Sequence, residues 1–114
     1  MTPEETIARQ VDTYNASDLD GYMALFHEDA AIYDFPGIPL MKGRAEIRAR
    51  YSEIFKKHPE NCMILHKRIV LGARILDYET VYRNGLNEDG FTVMTVYDVK
   101  NGQITRVEFI RTVS

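Results

Sequence analysis

The sequence predicts one α+β domain, residues 1–114, in which three N-terminal helices and a cone-shaped, curved antiparallel sheet enclose an apolar pocket. Apolar residues recur at helical spacing up to Pro59, and after Asn61 they change to long runs rich in β-branched and aromatic residues. The dipeptide Asn101-Gly102 between two of these runs is a strong signal for a two-residue hairpin. A chain of 114 residues also has the usual length of one domain.

Three helices are expected before Pro59. The segment Thr2-Pro3-Glu4-Glu5 is typical of a capped helix start, and this first helix should end near Asn15. Its inward face holds Ile7, Gln10, Val11 and Tyr14. A second helix should begin after Ser17, with Leu19, Tyr22, Met23 and Phe26 at helical spacing. A third should begin at Arg44, with one face formed by Ile47, Tyr51, Ile54 and Phe55.

One short and four long strands are expected. The short strand covers residues 30–34 and should end at Asp34, because the prolines of the next segment, Phe35-Pro36-Gly37-Ile38-Pro39, cannot continue a strand ladder. The four long strands are predicted at residues 62–71, 75–83, 91–100 and 103–112. In the third long run apolar residues fall on both faces of the strand, so both faces of the sheet should be covered.

Composition and charge exclude several classes of function. A net charge of −3 and the absence of a basic stripe argue against a nucleic-acid partner. The single cysteine, Cys62, excludes an intramolecular disulfide and suits the cytoplasm. The acidic start of the chain and the lack of a long apolar run predict no signal peptide and no membrane partner. The three histidines lack metal-ligand spacing and no phosphate-binding loop occurs, so we expect no metal and no cofactor.

Several segments of the chain match a known pattern. The segments are residues 14–21 running on to 24–30, then 43–48, 68–72 and 101–104. Together they resemble the nuclear transport factor 2-like superfamily, in particular its SnoaL-like and ketosteroid-isomerase-like branch. The resemblance covers the whole chain and implies the helix-covered, cone-shaped sheet described above. It says less about the reaction, since isomerases, cyclases, epoxide hydrolases and non-catalytic modules share this scaffold.

The resemblance also implies roles for individual residues. Asp34 stands where ketosteroid isomerases have their catalytic base, and Tyr51 matches a tyrosine that supports the active-site hydrogen-bond network. Gln10 and Thr95 stand where these isomerases have the tyrosine and the protonated aspartate of the oxyanion hole. Because neutral side chains donate weaker hydrogen bonds than a proton-sharing acid, steroid isomerisation is not expected.

The remaining candidates lie on the first helix and the last strand. Tyr14 follows Gln10 by one helical turn, so its hydroxyl could replace part of the missing donor function; the alternative is a core aromatic residue. The resemblance turns Val107 and Phe109 toward the pocket and puts Arg111 at its mouth. Arg111 could there select a carboxylate-bearing ligand, or be an ordinary surface arginine. Asp34 likewise has an alternative role, capping the turn that follows it.

These residues predict a protein that binds a small hydrophobic molecule. As an enzyme, it would be an isomerase or cyclase that works without a cofactor. In this hypothesis Asp34 removes a proton from a carbon next to a ketone-like carbonyl. The alternative is a non-catalytic module that binds a ligand or a protein. A homodimer is also expected, because the outward-facing residues Met94, Val96 and Ile110 would otherwise expose an apolar patch.

Overall fold

A computed structural model describes residues 1–86 and 88–114. The elements follow in the order α1 (Pro3–Asn15), α2 (Leu19–Met23), β1 (Phe26–Asp34), β2 (Ile38–Lys42), α3 (Arg44–Lys57), β3 (Cys62–Leu71), β4 (Arg74–Tyr82), β5 (Phe91–Lys100) and β6 (Gln103–Arg111). The predicted α+β class is confirmed. Two of the four long strands, β3 and β5, have the predicted bounds; β4 begins and ends one residue earlier than predicted, and β6 ends one residue earlier.

The six strands form one sheet in the order β2-β1-β6-β5-β4-β3. The four long strands pair antiparallel, as predicted. The pair β1–β6 is instead parallel, with Ile32 opposite Val107, so the prediction of an entirely antiparallel sheet is wrong at this one pair. The reason is the connection between the strands. Helix α3 leads the chain from β2 at one edge of the sheet to β3 at the opposite edge, and the three hairpins that follow place β6 beside β1, running in the same direction.

Two other differences lie around β1. Phe26 begins β1 rather than closing the second helix, because α2 ends at Met23 and the backbone N–H of Ile104 donates to Leu25. The segment after Asp34 is a strand, β2, although it contains Pro39. Pro39 is tolerated because β2 is an edge strand with a neighbour on one side only.

The first helix begins as its sequence predicts. Thr2 Oγ1 accepts from the Glu5 N–H (3.1 Å), and the Glu5 carboxylate accepts from the Thr2 N–H (2.9 Å), which completes a capping box. The helices pack through a buried aromatic cluster of Tyr14, Tyr22, Tyr51 and Phe55, with the rings of Tyr22 and Tyr51 4.9 Å apart. This cluster fixes the tyrosines on the concave side of the sheet. Among the described residues, no helix is both long and apolar enough to cross a membrane.

The face of the sheet that points away from the helices carries an apolar patch, bordered by charged residues such as Lys67 opposite Tyr78 and Glu108 opposite Val96. Strand pairing brings its members side by side, and we call them the outer sheet face: Ile69, Leu76, Tyr78, Met94, Val96 and Ile110. Ile69 and Tyr78 are exposed, and the others are half-buried. The chain by itself therefore leaves a contiguous apolar surface in contact with solvent.

Candidate functional site

A cavity of about 400 Å³ lies between the helices and the concave face of the sheet. Apolar side chains such as Ile32, Ile54 and Val93 form much of its wall. Its titratable and polar lining residues are Gln10, Tyr14, Tyr22, Asp34, Arg50, Tyr51, Glu79, Arg83, Tyr97 and Arg111. An apolar cavity with a few convergent polar groups is the usual form of a small-molecule site.

The structure brings together all but one of the residues singled out from the sequence. Those that line the cavity are Gln10, Tyr14, Asp34, Tyr51, Val107, Phe109 and Arg111. Thr95 is the exception, because it is fully buried and its hydroxyl donates to the carboxylate of Glu79 (2.6 Å). The expectation that Thr95 itself forms part of the cavity wall is therefore corrected. Thr95 instead supports Glu79, a wall residue that was not predicted from the sequence.

Asp34 and Arg111 form an ion pair at the mouth of the cavity. Arg111 Nε donates to Asp34 Oδ1 at 2.9 Å, and the two side chains are 50% and 31% exposed, respectively. Phe109, the β6 residue opposite Asp34 in the sheet, has the Arg111 guanidinium near its ring (5.4 Å). In the described part of the chain Asp34 Oδ2 has no hydrogen-bond donor from the protein. One carboxylate oxygen is thus held by Arg111 while the other can face a ligand.

Glu79 is the second carboxyl group in the cavity wall, and its surroundings are the opposite of those of Asp34. It is 3% exposed and points inward from β4. Its Oε1 accepts from Thr95, whereas its Oε2 is buried without a hydrogen-bond partner among residues 1–86 and 88–114. Burial raises the pKa of Glu79 to about 7, and the hydrogen bond from Thr95 opposes this rise. Near neutral pH, therefore, Glu79 can carry a proton on an oxygen that needs a partner.

Asp77, two residues before Glu79 on β4, is held in place by an ion pair. Asp77 is fully buried and accepts two hydrogen bonds from the Arg68 guanidinium, at 2.7 and 2.8 Å. Asp77 is thereby held in a bidentate ion pair inside the fold. Its negative charge raises the pKa of Glu79 further. The cavity thus has an inner end where a second carboxylate is disfavoured.

Neutral hydrogen-bond donors surround the two carboxyl groups. Burial raises the pKa of Tyr51 to about 12, so its hydroxyl keeps its proton at neutral pH and can donate. Tyr97 donates to the side-chain oxygen of Gln10 (3.4 Å), and burial likewise raises its pKa. Gln10 therefore lies in the wall as expected, with its carbonyl oxygen already engaged.

Arg83 lies just past the end of β4 and is held by two neutral residues. Its Nη1 donates to Tyr14 Oη (2.9 Å) and to Asn61 Oδ1 (2.7 Å), and its guanidinium lies 5.2 Å from the centre of the Phe91 ring. Because Tyr14 Oη accepts from Arg83, the hydroxyl proton of Tyr14 can turn toward another acceptor. The proposed donor role of Tyr14 is compatible with this contact.

Glu79 and Arg83 were not predicted as site residues, although the sequence holds one signal for Glu79. Along β4 the inward positions alternate as Ile75, Asp77, Glu79 and Val81, so two acidic residues share a face with apolar ones. Acidic residues on the buried face of a strand are rare and often functional. Arg83 gave no such signal, because a basic residue at the end of a strand is usually solvated.

Comparison with known proteins gives the family. The model of the SnoaL-like domain matches residues 7–107. A solved structure of an uncharacterised cystatin-fold protein from Novosphingobium aromaticivorans is 28% identical, with a TM-score of 0.89 over 97% of this chain and 99% of its own.

Two further structures share the fold at lower identity. A candidate ketosteroid isomerase from Kribbella flavida is 18% identical, with a TM-score of 0.79 over 98% of this chain and 78% of its own. A candidate polyketide cyclase from Sinorhizobium meliloti is 19% identical, with a TM-score of 0.77 over 92% and 93% of the two chains. At this level of identity the likeness concerns the fold.

Proposed function

This chain belongs to the SnoaL-like domain family, and from that premise we propose that its cavity binds a small, mostly apolar carbonyl compound and transfers a proton at the neighbouring carbon. The reaction class is that of a cofactor-independent isomerase or cyclase. The names of two structural neighbours, a candidate isomerase and a candidate cyclase, support this class. The size and the apolar wall of the cavity suit such a ligand.

The observation that carries the proposal is the contrast between Asp34 and Glu79 in one cavity. Asp34 is partly exposed and its Oδ1 is paired with Arg111, while its Oδ2 has no donor among the described residues and can approach a ligand as a base. Glu79 is buried, and its raised pKa favours the protonated form as a donor. A partly exposed, ion-paired carboxyl group and a buried one with a raised pKa can serve as the base and the acid of one reaction.

In the proposed reaction Asp34 accepts the proton of the C–H bond next to the carbonyl. The electron pair of that bond moves toward the carbonyl oxygen, which becomes an enolate oxygen and accepts a hydrogen bond from protonated Glu79. The hydroxyls of Tyr14 and Tyr51 can add further donors. Return of the proton from Asp34 to a different carbon completes an isomerisation. In a cyclisation the enolate carbon instead attacks a second carbonyl of the same molecule, and the oxygen of that carbonyl takes the proton back from Asp34 as it becomes a hydroxyl.

The proposal is tested by hydrogen–deuterium exchange of ketones in heavy water, followed by proton NMR. A panel of β,γ-unsaturated ketones and aryl ketones is incubated with and without the protein. We expect the protein to accelerate loss of the proton signal next to the carbonyl for at least one ketone. If ketones raise the melting temperature of the protein but exchange no faster, the non-catalytic ligand-binding module is the correct function.

We also propose that two copies of the chain associate through the outer sheet face. Light scattering at tens of micromolar, roughly above the dissociation constant of a standard-sized interface, should give twice the chain mass of 13.2 kDa. Val96→Glu places a charge in the middle of this face and should give monomers. Leu86→Glu, which changes an exposed apolar residue elsewhere, should leave the dimer intact. A monomeric wild type would exclude this association.

A further inference from the structure

Three arginines line the cavity, and they differ in how their charge is balanced. Arg111 is paired with Asp34, and Arg50 is paired with Glu53 at 3.3 Å. Arg83 has no carboxylate within 4.0 Å in the described part of the chain, where its hydrogen-bond partners are Tyr14 and Asn61. Among the described residues that line the cavity, Arg83 is thus a cationic group without a counter-charge within 4.0 Å.

Arg83 is also held in a fixed orientation. Both of its hydrogen bonds use Nη1, one to Tyr14 and one to the almost fully buried Asn61. The ring of Phe91 lies beside the guanidinium at 5.2 Å and limits its movement. Nε and Nη2 make no hydrogen bond to the described residues, and Arg83 lines the cavity, so their N–H groups are left to bind a ligand. A guanidinium held in this way can accept a planar, two-oxygen anion without reorganisation.

The charge balance of the cavity points to the same kind of ligand. The pair of Asp34 with Arg111 is neutral overall, and the pair of Arg50 with Glu53 is also neutral. Glu79 adds no charge in its protonated form, which its raised pKa favours below about pH 7. One positive charge, that of Arg83, then remains on the wall. A half-buried cation without a counter-ion is unfavourable, and an anionic ligand would balance it.

We propose that Arg83 forms a carboxylate-binding subsite, and that the ligand of this cavity is an apolar molecule with one carboxylate group. The bidentate geometry of the guanidinium favours a carboxylate, and the hydroxyl of Tyr14, which accepts from Arg83, can donate to the same group. The inference rests on the proposed function and narrows its substrate class from carbonyl compounds to keto acids. It also differs from the expectation for Arg111, whose guanidinium already contacts Asp34.

The test is a set of matched ligands measured by isothermal titration calorimetry. The probes are naphthoic, phenylpropanoic and phenylbutanoic acids and the primary amides of the same three molecules. Each acid and its amide have similar shape and apolar area, so their difference reports on charge. For the wild type we expect at least one acid to bind about 10- to 100-fold more tightly than its amide, the usual gain from a hydrogen-bonded charge pair.

Variants test whether the preference for the acid over its amide depends on Arg83. In Arg83→Gln the acid should lose its advantage while the amide binds as in the wild type. Arg50→Gln is the matched control, since it removes a lining arginine that is already paired, and it should keep the preference. Arg83→Lys keeps the charge without the planar fork and should show a several-fold smaller preference. If Arg83→Gln melts too early for calorimetry, the comparison of Arg83→Lys with Arg50→Gln decides.

The outcomes separate this inference from the proposed function. Equal affinity of acids and amides, a preference that survives Arg83→Gln, or no binding of any acid overturns the subsite. Equal affinity leaves proton transfer on neutral ketones open to the exchange assay. Conversely, acid binding that depends on Arg83, without any exchange of ketone protons, supports the subsite and contradicts proton transfer.

Discussion

Replacement of Asp34 by Asn is expected to slow proton exchange on an active ketone by about 100- to 10,000-fold, the usual contribution of a general base. Asn has nearly the same shape as Asp but cannot accept a proton at neutral pH. It can still accept one hydrogen bond from Arg111, so the mouth of the cavity should keep its geometry. The loss is measured as the rate of deuterium exchange at saturating ketone.

Asp98→Asn is the matched control for this variant. Asp98 is paired with Arg74 at 2.7 Å and is 29% exposed, close to the 31% of Asp34, yet it does not line the cavity. Its replacement should leave the exchange rate within about twofold, since surface ion pairs contribute little. An exchange rate that is the same in Asp34→Asn as in the wild type would exclude Asp34 as the base.

Much of the fold could be predicted because local patterns and tertiary structure agree. Three local patterns each indicate a single type of element, and that element is present: the capping box indicates the start of α1, the apolar face indicates helix α3, and the alternation indicates strand β5. The hairpin at Asn101-Gly102 is a further case: both residues have positive φ (52° and 74°), as the turn type requires.

The elements around β1 could not be predicted so well, because long-range pairing decides them. Phe26 fits the helical spacing of α2, but its pairing with β6 draws it into β1. Pro39 argues against a strand, but the edge of the sheet tolerates it. The parallel pairing of β1 with β6 depends on where the chain returns after three hairpins, which no local pattern specifies.

The candidate site shows the same division. Asp34 and Tyr51 could be placed in the cavity because the family pattern marks their positions. Thr95 was expected in the cavity wall, but Glu79 lies there and Thr95 donates a hydrogen bond to it. This arrangement could not be predicted, because it depends on a contact of 2.6 Å between side chains on two neighbouring strands, β5 and β4. The importance of Arg83 also appears only in three dimensions. A guanidinium becomes informative when its neighbours lack a carboxylate, and the sequence does not say which residues those neighbours are.

Replacement of Glu79 is expected to have the second large effect on catalysis. Glu79→Leu removes the proton donor and keeps a similar volume, and it should slow proton exchange by about 100- to 1,000-fold, the usual loss for one oxyanion donor. Glu79→Gln keeps a neutral donor and the acceptor for Thr95, so its loss should be smaller. The same exchange assay measures both variants, and the expected order of rates is wild type, Gln, Leu.

The dependence on pH distinguishes a donor from a residue that only fills space. Since the pKa of Glu79 is about 7, the wild-type rate should fall as the pH rises through this value and Glu79 loses its proton. Glu79→Gln has no proton to lose, so this alkaline decrease should disappear. If Glu79→Gln keeps the decrease of the wild type, another group causes it and the donor role of Glu79 is excluded.

The pH dependence of the free energy of unfolding gives an independent check on the raised pKa of Glu79. The pKa of Glu79 is raised on folding from its ordinary value of 4.5 to about 7, so the folded state binds this proton more tightly than the unfolded state. Stability from this group is therefore greatest at low pH and is lost as the pH rises from about 4.5 to about 7. Urea unfolding should show Glu79→Gln gaining about 2 kcal/mol on the wild type between about pH 5 and about pH 8. A difference that is constant with pH would mean that Glu79 ionises normally in the folded protein, and it could not then be the acid of this cavity.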